Sequence, residues 1–512
     1  MSRLHSAAEL AAKRNGKTAF GYAAVEDGTK RRPVVQRVKS EIAILTPQKR
    51  DKAAATARED RRNMTILAWM IRRHLDNVSR FTPQFRLPGD SPQIDALNRK
   101  TNAMLAWHAH RRQFDALGRH GRDEWMRMFE AVKVIDGDAG GLKVKGGRLQ
   151  GIEGNRIKKA TTAQQGAKLP KDVTEEGVQL LSDGTVKAYS VCARAGTTDS
   201  MVFEALVSAE NMVFDGYWPE RFDSYRGVSP LLTALNECAD VRETREWLVL
   251  KAKASAIFGL AFKRSGSDDI FPTQGDPASS APTSEATTYS AQVAASMKAR
   301  GIINLDLDPG DDVSEIQSST PNPTVVEFTR ELIRSVLLAL DIPFTFYDSL
   351  TASFSARIAD RNEYEECCEW KREKNIGVLE DIYGGWLLPM WVDGNILGYG
   401  DIVKQSGVSV EEIAAAIHWV PAGRPWLDRS NEMSGHILAL AAGVTSIPRI
   451  CAAYGEDAYN IADEQREYLQ KCGIPILYAQ GGQFSVQSLM NGIKQSGESE
   501  ASPSKGVPDG NE

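Results

Sequence analysis

The sequence predicts an α+β fold in which a β-rich stretch lies between helical segments. Three observations predict this class. Apolar residues recur at helical spacing from about residue 64 to 129 and again from 324 to 340. Between about 132 and 214 the period changes towards two, as in strands with one buried face. A long charged segment, Ala356 to Ile382, has the pattern of a single helix of roughly 27 residues, or about 40 Å.

Length and composition narrow the function classes. The chain has 512 residues, 42% of them apolar, so it can bury large cores, and its length favours about two to four domains. With a formal net charge of −5, the surface as a whole does not attract nucleic acid electrostatically. Six cysteines without a CxxC pair indicate reduced thiols. No apolar run reaches the roughly 18 residues of a membrane span and no signal-peptide core is present, so we expect a cytoplasmic product with no membrane partner.

The N-terminal segment, residues 1–60, carries 13 Lys or Arg against 7 Asp or Glu and has no sustained periodicity. We expect a basic, partly disordered arm, which is either a solvated tail or a surface for a partner. Helical patterns follow over Met64–Leu75 and Gln93–Phe129. The period-two region contains five strand candidates, and Ser182-Asp-Gly184 supplies a hairpin turn. The candidates are Val132–Ile135, Leu142–Val144, Val178–Leu181, Thr185–Cys192 and Met201–Val207.

A second helical region opens at Ser229-Pro230, where Ser caps the first turn and Pro occupies the first helical position. This helix is predicted to run to about Ala254. A short strand, Ile257–Phe262, follows, and a second strand is predicted at Ile302–Leu307. Between them, the stretch from 265 to 288 is rich in Ser, Thr, Ala and Pro and should form a mobile excursion.

The next helix opens at Thr324, with Glu327 three residues on as a capping box. Pro343 disfavours the α region at Ile342, so the helix must end near Leu340. The predicted buried stripe consists of Val325, Phe328, Leu332, Val336 and Leu340. A small, hydroxylated loop, Asp348–Ser355, precedes the long charged helix. Residues 408–470 are predicted to be helical with breaks at Pro421, Pro425 and Pro448, and the tail beyond about 496 to be disordered.

Candidate metal and catalytic residues are few. His108 and His110 lie two apart on a predicted helix, so their rings point to different faces and cannot share a metal. Asp136-Gly-Asp-Ala-Gly-Gly141 is predicted to be a turn between strands, with a cation or phosphate loop as the alternative. HExxH, paired CxxC, GxSxG and GxGxxG motifs are missing.

One acidic cluster remains open to several interpretations. Asp306, Asp308, Asp311 and Asp312 place four carboxylates within seven residues. Such a group could bind divalent metal for hydrolysis, and a metal-dependent cytoplasmic hydrolase or nuclease is therefore the alternative function. An exposed Pro-Gly turn is the commoner explanation of such a pattern. In a third interpretation, the acids repel a passing polyanion.

Three segments together resemble the portal proteins of tailed bacteriophages, in the lambda-type family. The first is Arg221-Phe-Asp-Ser-Tyr-Arg-Gly-Val-Ser-Pro-Leu-Leu232, similar to the family's Arg-Gly-Val-(Ser/Pro)-Leu element. The second, Ser353-Phe-Ser-Ala-Arg357, is similar to Tyr-Ser-Ser-x-Arg, with Ser at its front and Phe in its middle. The third runs from Trp419-Val-Pro421 through Gly443-Val-Thr-Ser446 to Gly455-Glu-Asp457. It departs from the family at Asp428-Arg429-Ser430, where Asp-Pro is usual.

The resemblance implies a portal fold with a helical stem, a small β-containing clip, an α/β wing with a long helix, and a helical crown. It divides the chain into a basic N-terminal arm (1–60), a wing (61–228), a first stem helix (229–254), a clip (255–323), a second stem helix (324–343), a tunnel loop (344–356), a long wing helix with further wing (357–407), wing-edge and crown helices (408–490) and a disordered tail (491–512).

The function implied is a ring of about twelve copies at one capsid vertex, a homododecamer through which double-stranded DNA is packaged and ejected. The implied partners are other copies of the chain, the terminase large subunit, the major capsid and scaffolding proteins, a head-tail adaptor, and DNA bound without sequence specificity. No enzyme activity, cofactor or metal is expected. The protein would be made in the bacterial cytoplasm and reside in the virion.

The resemblance also assigns roles to single residues. Ser349, Thr351, Ser353, Ser355 and Arg357 would face DNA in the tunnel loop. Arg357 would meet phosphate, pair with Asp360 or pair with a neighbouring subunit, and the neighbouring subunit is favoured. The four acids at 306, 308, 311 and 312 would contact the packaging motor or the adaptor from the clip.

Overall fold

The computed structural model describes residues 44–89, 91–195, 200–218, 221–222, 224–257, 260–264, 311–315, 323–350, 352–423 and 429–472. The described residues form two compact units. One unit contains the described residues up to 235 and from 337 onwards, and the other contains those from 236 to 336. Helices and small antiparallel sheets alternate along the chain, which confirms the α+β class.

The N-terminal part of the larger unit is helical. Its elements are α1 (Pro47–Asn63), α2 (Thr65–Val78), β1 (Phe81–Phe85), α3 (Pro92–His108), α4 (Arg111–Phe114) and α5 (Arg122–Asp136). The prediction of an arm extending to residue 60 is wrong over its last part, because α1 begins at Pro47. The buried positions of α1 are Arg50, Ala54 and Ala57, a face without the large apolar residues that reveal a helix in sequence. The first 43 residues of the expected arm lie outside the described residues.

Two three-stranded antiparallel sheets follow. Their strands are β2 (Asp138–Val144), β3 (Arg148–Glu153), β4 (Val178–Leu180), β5 (Val186–Arg194), β6 (Met201–Ser208) and β7 (Met212–Gly216). The strand orders are β3-β2-β7 and β4-β5-β6. Four of the five predicted strands are confirmed, and Gly184, at φ 87°, turns the predicted β4–β5 hairpin. The fifth, Val132–Ile135, is wrong because these residues end α5, where burial on nearly all sides erases the helical period.

Within its described residues, the smaller unit contains two helices and a two-stranded sheet. After a 3₁₀ turn at Pro230–Thr233 come α6 (Leu235–Ile257), β8 (Leu260–Arg264), β9 (Asp311–Glu315) and α7 (Pro323–Leu338). The β8 and β9 strands are antiparallel, with Leu260 opposite Glu315. Asp311 and Asp312 therefore lie in a strand, whereas the predicted Pro-Gly turn lies outside the described residues. The strand predicted at 302–307 lies outside the described residues.

The two predicted helix starts differ in outcome. The Ser229 side chain accepts a hydrogen bond from the Leu231 amide at 3.2 Å, as the sequence predicts, although the first turn is 3₁₀. The capping box at Thr324 is wrong, because α7 already begins at Pro323. Along α7, Val336 is buried as predicted, whereas Phe328 is 57% exposed, since only the C-terminal half of this helix is closely packed.

The longest helix in the described part of the chain is α8 (Phe354–Ile382), of 29 residues, and its predicted end at Ile382 is confirmed. A π-helical turn, Tyr383–Leu387, connects it to α9 (Leu388–Asp393), after which come α10 (Tyr399–Ser406) and α11 (Val410–Ala415). The C-terminal half of α8 contributes Val378, Leu379 and Ile382 to the main hydrophobic core. Aromatic side chains complete this core, including Tyr383, Trp391, Tyr399, Phe114 and Trp125. The N-terminal half of α8 is mostly exposed.

The C-terminal region contains β10 (Ile417–Pro421), α12 (Arg429–Ala441), α13 (Ile447–Ala453) and α14 (Ala458–Cys472). The purely helical prediction is wrong at β10, which pairs antiparallel with β1 so that Phe85 lies opposite Ile417. Pro448 lies in the first turn of α13 and so starts this helix. The expected tail lies outside the described residues. None of the helices in the described ranges is long and apolar enough to cross a membrane.

Candidate functional site

The loop between α7 and α8 is fixed at both ends by side-chain contacts. Before it, the Thr345 hydroxyl donates a hydrogen bond to Asp360 Oδ2 at 2.7 Å. The Tyr347 ring meets Trp69 of α2 edge-on, with 6.0 Å between ring centroids. After it, the Ser353 hydroxyl oxygen accepts a hydrogen bond from the Ala356 amide at 3.2 Å and so caps α8. The loop therefore starts and ends at fixed points.

The loop interior is exposed and presents large apolar side chains beside its hydroxyl groups. Ser349, Ser353 and Ser355 are exposed, whereas Thr351 lies outside the described residues. Leu350 is 92% exposed and Phe354 is 58% exposed. The hydroxyl content of the loop did not predict the exposure of these two apolar side chains. The surface of the loop is consequently mixed, with hydroxyl groups beside two large apolar groups.

Within the described ranges Arg357 forms no ion pair with Asp360, whose Oδ2 accepts a hydrogen bond from the Thr345 hydroxyl. The Arg357 side chain is exposed and forms no ion pair with any residue in the described ranges. It lines a groove of about 510 Å³ together with Ser349, Arg73 and Arg361. Of the three alternatives for Arg357, an anionic phosphate and a neighbouring copy remain.

Side chains from the middle of α8 hold it against two helix ends. Lys371 Nζ lies 2.6 Å from Asp341 Oδ2, just beyond the end of α7. Arg372 Nε donates to the Asn77 carbonyl at 2.6 Å, and Asn375 Nδ2 donates to the Val78 carbonyl at 3.2 Å. These carbonyls belong to the last turn of α2, where no intrahelical donor is available. The helix that follows the loop is therefore anchored at its middle.

A buried charged network surrounds this anchor. Lys133 Nζ lies 3.0 Å from Glu130 Oε2 and 2.6 Å from Asp215 Oδ2, and it donates to Asn375 Oδ1 at 2.8 Å. His74 Nε2 lies 2.9 Å from Glu130 Oε1. Burial by itself would favour the neutral acid, but Lys133 and the hydrogen bond to His74 hold the pKa of Glu130 below its usual range. Burial lowers the pKa of His74, so its imidazole stays neutral.

A second group of buried hydrogen bonds is centred on Arg226, within the Arg-Gly-Val segment. Its Nε is 2.6 Å from Asp138 Oδ2, and its Nη2 donates to Asp138 Oδ1 at 2.8 Å. The remaining N–H groups bond to the carbonyls of Gly154, Ile157 and Glu176. Planar guanidinium geometry lets one side chain hold β2 and the loops after β3 and before β4.

Further arginines form hydrogen bonds with the residues around Arg226. Arg50 of α1 donates to the Gly227 carbonyl and contacts Glu176. Arg58 donates to the Asp136 carboxylate through Nε and Nη2, with Nε 3.0 Å from Oδ1. The segment from 136 to 141 is therefore a helix-to-strand junction whose acids are occupied by arginines, which corrects the prediction of a turn between strands. A Cβ on Gly227 would lie 2.1 Å from the Gly137 carbonyl oxygen, so the close approach here requires glycine.

The histidine expectations are consistent with structural roles. His108 is buried, and its Nε2 donates to the Gly147 carbonyl at 2.7 Å while its Nδ1 lies 3.2 Å from the Tyr383 hydroxyl. Burial lowers the pKa of His108 to about 4. His436 Nε2 lies 2.8 Å from the Tyr454 hydroxyl. In the part of the chain that the structure describes, no three His, Cys, Asp or Glu side chains are grouped to hold a metal ion.

The acidic cluster of the smaller unit is only partly described. Asp306 and Asp308 lie outside the described residues. Asp311 and Asp312 stand opposite Arg264 and Lys263 in the β8–β9 register. The proposed contact role of these acids stays a prediction.

Comparison with known proteins gives one family and several structures. Residues 29–370, more than half of the chain, match the family described as phage portal protein, lambda family. No curated protein matches the chain. A chain in the neck of an empty gene transfer agent particle is 14% identical, with 78% of this chain and 93% of that chain covered and a TM-score of 0.41. An HK97-family phage portal protein from Corynebacterium diphtheriae is 12% identical, with 62% and 85% covered and a TM-score of 0.30.

Proposed function

The chain belongs to the lambda family of phage portal proteins, and from that premise we propose how its parts serve a DNA conduit. The family match over residues 29–370 is the observation that carries this proposal. About twelve copies form a closed ring at one capsid vertex, and double-stranded DNA passes through its centre during packaging and ejection. Heterologous contacts between neighbouring copies close such a ring when the rotation per copy is fixed.

The loop between α7 and α8 supplies the DNA-facing surface of the proposed conduit. A conduit must contact DNA without retaining it, and each contact of Lys or Arg with phosphate adds affinity. The exposed hydroxyl groups of Ser349 and Ser355 form and break hydrogen bonds readily, Ser353 caps α8 from the same surface, and Thr351 belongs to the same set. The anchors at Lys371, Arg372 and Asn375 support the helix behind this loop.

The other regions take the roles that their family positions imply. Residues 229–254 and 324–343 form the stem, 255–323 the clip, 61–228 and 357–407 the wing, and 408–490 the wing edge and crown. Through Asp306, Asp308, Asp311 and Asp312 the clip contacts the terminase large subunit during packaging and later the head-tail adaptor. The major capsid and scaffolding proteins surround the ring. The protein is made in the host cytoplasm, acts in the virion, and needs neither cofactor nor catalytic activity.

The alternative, a metal-dependent hydrolase, has no observation in its favour. Two of its four acids, Asp311 and Asp312, are consecutive residues of β9, and the other two lie outside the described residues. Incubation of DNA with the purified protein and Mg²⁺ or Mn²⁺ tests it directly. Intact DNA after long incubation is the expected result, and cleavage abolished by Asp→Asn substitutions at these positions would establish the alternative.

Electron microscopy of the purified protein tests the ring. We expect closed rings of high cyclic symmetry, with a central channel wide enough for B-form DNA. A protein that stays monomeric or dimeric under assembly conditions would refute the proposed function.

Deletion of residues 349–355 tests the role of the loop. Heads carrying the deletion should assemble but fail to package or retain DNA, measured as the DNA content of purified heads. A matched control replaces the same seven positions with alternating Gly and Ser, which keeps the loop length. Normal DNA content in the deletion heads would show that the loop has no part in the DNA path.

A further inference from the structure

The loop that joins α3 to α5, residues 109–121, is closed at its base and held against the core. The amide of Arg122, the first residue of α5, donates a hydrogen bond to the Ala109 carbonyl at 3.0 Å. Within the loop, Phe114 of α4 is completely buried, and its ring lies 5.7 Å from the Trp125 ring between centroids. The loop is therefore a fixed projection of the larger unit.

Two further contacts fix the outer part of this loop. The Ala116 amide donates to the Leu149 carbonyl of β3 at 2.8 Å. The Arg119 amide donates to Asp115 Oδ2 at 2.8 Å, and Asp115 is only 4% exposed. The one acid of the loop is consequently turned inward, where it holds the backbone.

The surface of the loop is cationic. Three arginines stand against one acid, so the loop has a formal charge of +2, whereas the whole chain has −5. The side chains of Arg111, Arg112 and Arg119 are exposed, and none of them forms a hydrogen bond or an ion pair with any residue in the described ranges. Their charges are thus available to a partner outside the chain, and the attraction is local to this loop.

A recess of about 310 Å³ opens beside two of these arginines. Its lining consists of Trp107, His110, Arg111, Arg112 and Gln113, and no acid of the described residues contributes to it. None of the five side chains forms a hydrogen bond or an ion pair within the described part of the chain. The guanidinium, indole and amide groups are hydrogen-bond donors, so the recess suits a ligand with several acceptor oxygens.

A phosphodiester backbone suits these donors better than an acidic protein surface does. Guanidinium groups pair with phosphate through two parallel hydrogen bonds. The core of a protein–protein contact needs large apolar or aromatic groups. In the loop, which the structure describes throughout, Leu117 is the only exposed large apolar side chain. Because the loop is already fixed in the free chain, binding requires little additional ordering.

We propose that loop 109–121 binds the phosphate backbone of double-stranded DNA without sequence specificity, at a site apart from the loop between α7 and α8. This inference rests on the proposed function, which supplies the DNA, and it adds a second contact with that DNA. Residues 109–121 belong to the proposed wing and not to the proposed stem or tunnel loop. Phosphate contacts at this place can hold DNA without slowing its passage through the conduit.

Removal of the three arginines tests the contact. Full-length protein is titrated into a fluorescently labelled duplex of about 30 base pairs, and anisotropy is recorded between about 50 and 200 mM salt. The variant with Arg111→Ala, Arg112→Ala and Arg119→Ala should bind at least about tenfold more weakly at about 100 mM salt. The slope of log affinity against log salt concentration should fall in magnitude by about 2 to 3, since each lost phosphate contact removes about 0.9.

A matched control removes three cations from other exposed sites, Arg72→Ala, Lys404→Ala and Arg449→Ala. It should bind the duplex within about twofold of the unmodified protein, and a loss equal to that of the loop variant would refute a specific role for the loop. Replacement of the three loop arginines by lysine keeps the charge and should keep the salt slope. If the lysine variant loses as much affinity as the alanine variant, a disturbed loop and not a lost charge is responsible, and the proposal fails.

The remaining outcomes separate this inference from the proposed function and from a protein partner. Unchanged duplex affinity and salt slope in the alanine variant would refute the DNA contact, whether or not rings form. Absence of rings in electron microscopy of the unmodified protein would refute the proposed function, and anisotropy would still decide whether the loop binds DNA. A labelled peptide of about 15 glutamates that binds more tightly than the duplex, and only when the three arginines are present, would overturn the proposal in favour of an acidic protein surface.

Discussion

The Arg226 guanidinium contacts both oxygens of the Asp138 carboxylate, and the two side chains are almost completely buried. Removing one partner of a buried pair leaves an uncompensated charge, which costs about 3–5 kcal/mol. Arg226→Met should therefore lower the free energy of unfolding by this amount, and Arg226→Lys should also destabilise because an ammonium cannot form the same planar set of bonds. Thermal and denaturant unfolding followed by circular dichroism measure the change.

A surface pair provides the comparison for Arg226. Lys159 Nζ lies 2.6 Å from Glu175 Oε1, and both side chains are largely exposed. Lys159→Ala should change the stability by less than about 1 kcal/mol. An equally small effect for Arg226→Met would contradict the structural role assigned to the Arg-Gly-Val segment.

Gly227→Ala should destabilise the larger unit, because the added Cβ would lie 2.1 Å from the Gly137 carbonyl oxygen and the backbone would have to shift. Gly377→Ala is a matched control within α8, where the added Cβ would meet nothing within 4 Å. The control should be neutral or stabilising by up to about 1 kcal/mol, since Ala has the higher helix propensity. The melting temperatures of the two variants, measured side by side, test this prediction. Equal values would show that the backbone contact between Gly227 and Gly137 is not tight.

Stability should fall as the pH drops from about 6.5 towards 4, through the buried His108. Burial lowers the pKa of His108 from 6.5 to about 4, so the unfolded chain takes up a proton in this range before the folded chain does. The stabilisation is complete above the unfolded pKa and is lost as pH falls to the folded pKa, on the order of 3 kcal/mol in all. His108→Gln should flatten the pH dependence of the melting temperature between pH 7 and 4. An unchanged slope would assign the acid sensitivity to other groups.

Ser353→Ala should loosen the start of α8, because the Ser353 hydroxyl oxygen accepts the Ala356 amide hydrogen. Loss of such a cap costs about 1 kcal/mol. Hydrogen exchange at the amides of 354–358 should accelerate, whereas exchange around the anchor at Asn375 should stay slow. Ser349→Ala removes an exposed hydroxyl without a capping role and should leave both rates unchanged. Equal rates in the Ser353 variant and the unmodified protein would mean that the cap is not formed in solution.

Much of the fold was predictable because local rules govern it. The Ser229 cap, the hairpin at Gly184 and the end of α8 at Ile382 follow from short-range sequence features, and all three are present. The errors arose where a neighbour distant in sequence decides the conformation. Ile417–Pro421 is a strand because Phe81–Phe85 lies beside it, and no local pattern near residue 417 reports that partner.

In the candidate site, too, local features were predictable from the sequence and long-range contacts were not. The sequence identified the loop of Asp348–Ser355, the long charged helix behind it and the resemblance to phage portal proteins, since hydroxyl content, charge and motif order are linear properties of the chain. It did not predict that Ser353 caps α8 or that Thr345 occupies Asp360.

The sequence by itself determined the α+β class, most helices and strands, and the family, because propensity, periodicity and motifs are written along the chain. Only the tertiary structure decided the partners of the buried charges. The sequence pattern around Asp138 predicted a turn. In the structure Asp138 pairs with Arg226, which is 88 residues away in sequence. Burial and charge pairing act between residues that are close in space. The separation of two residues along the chain does not show whether they are in contact.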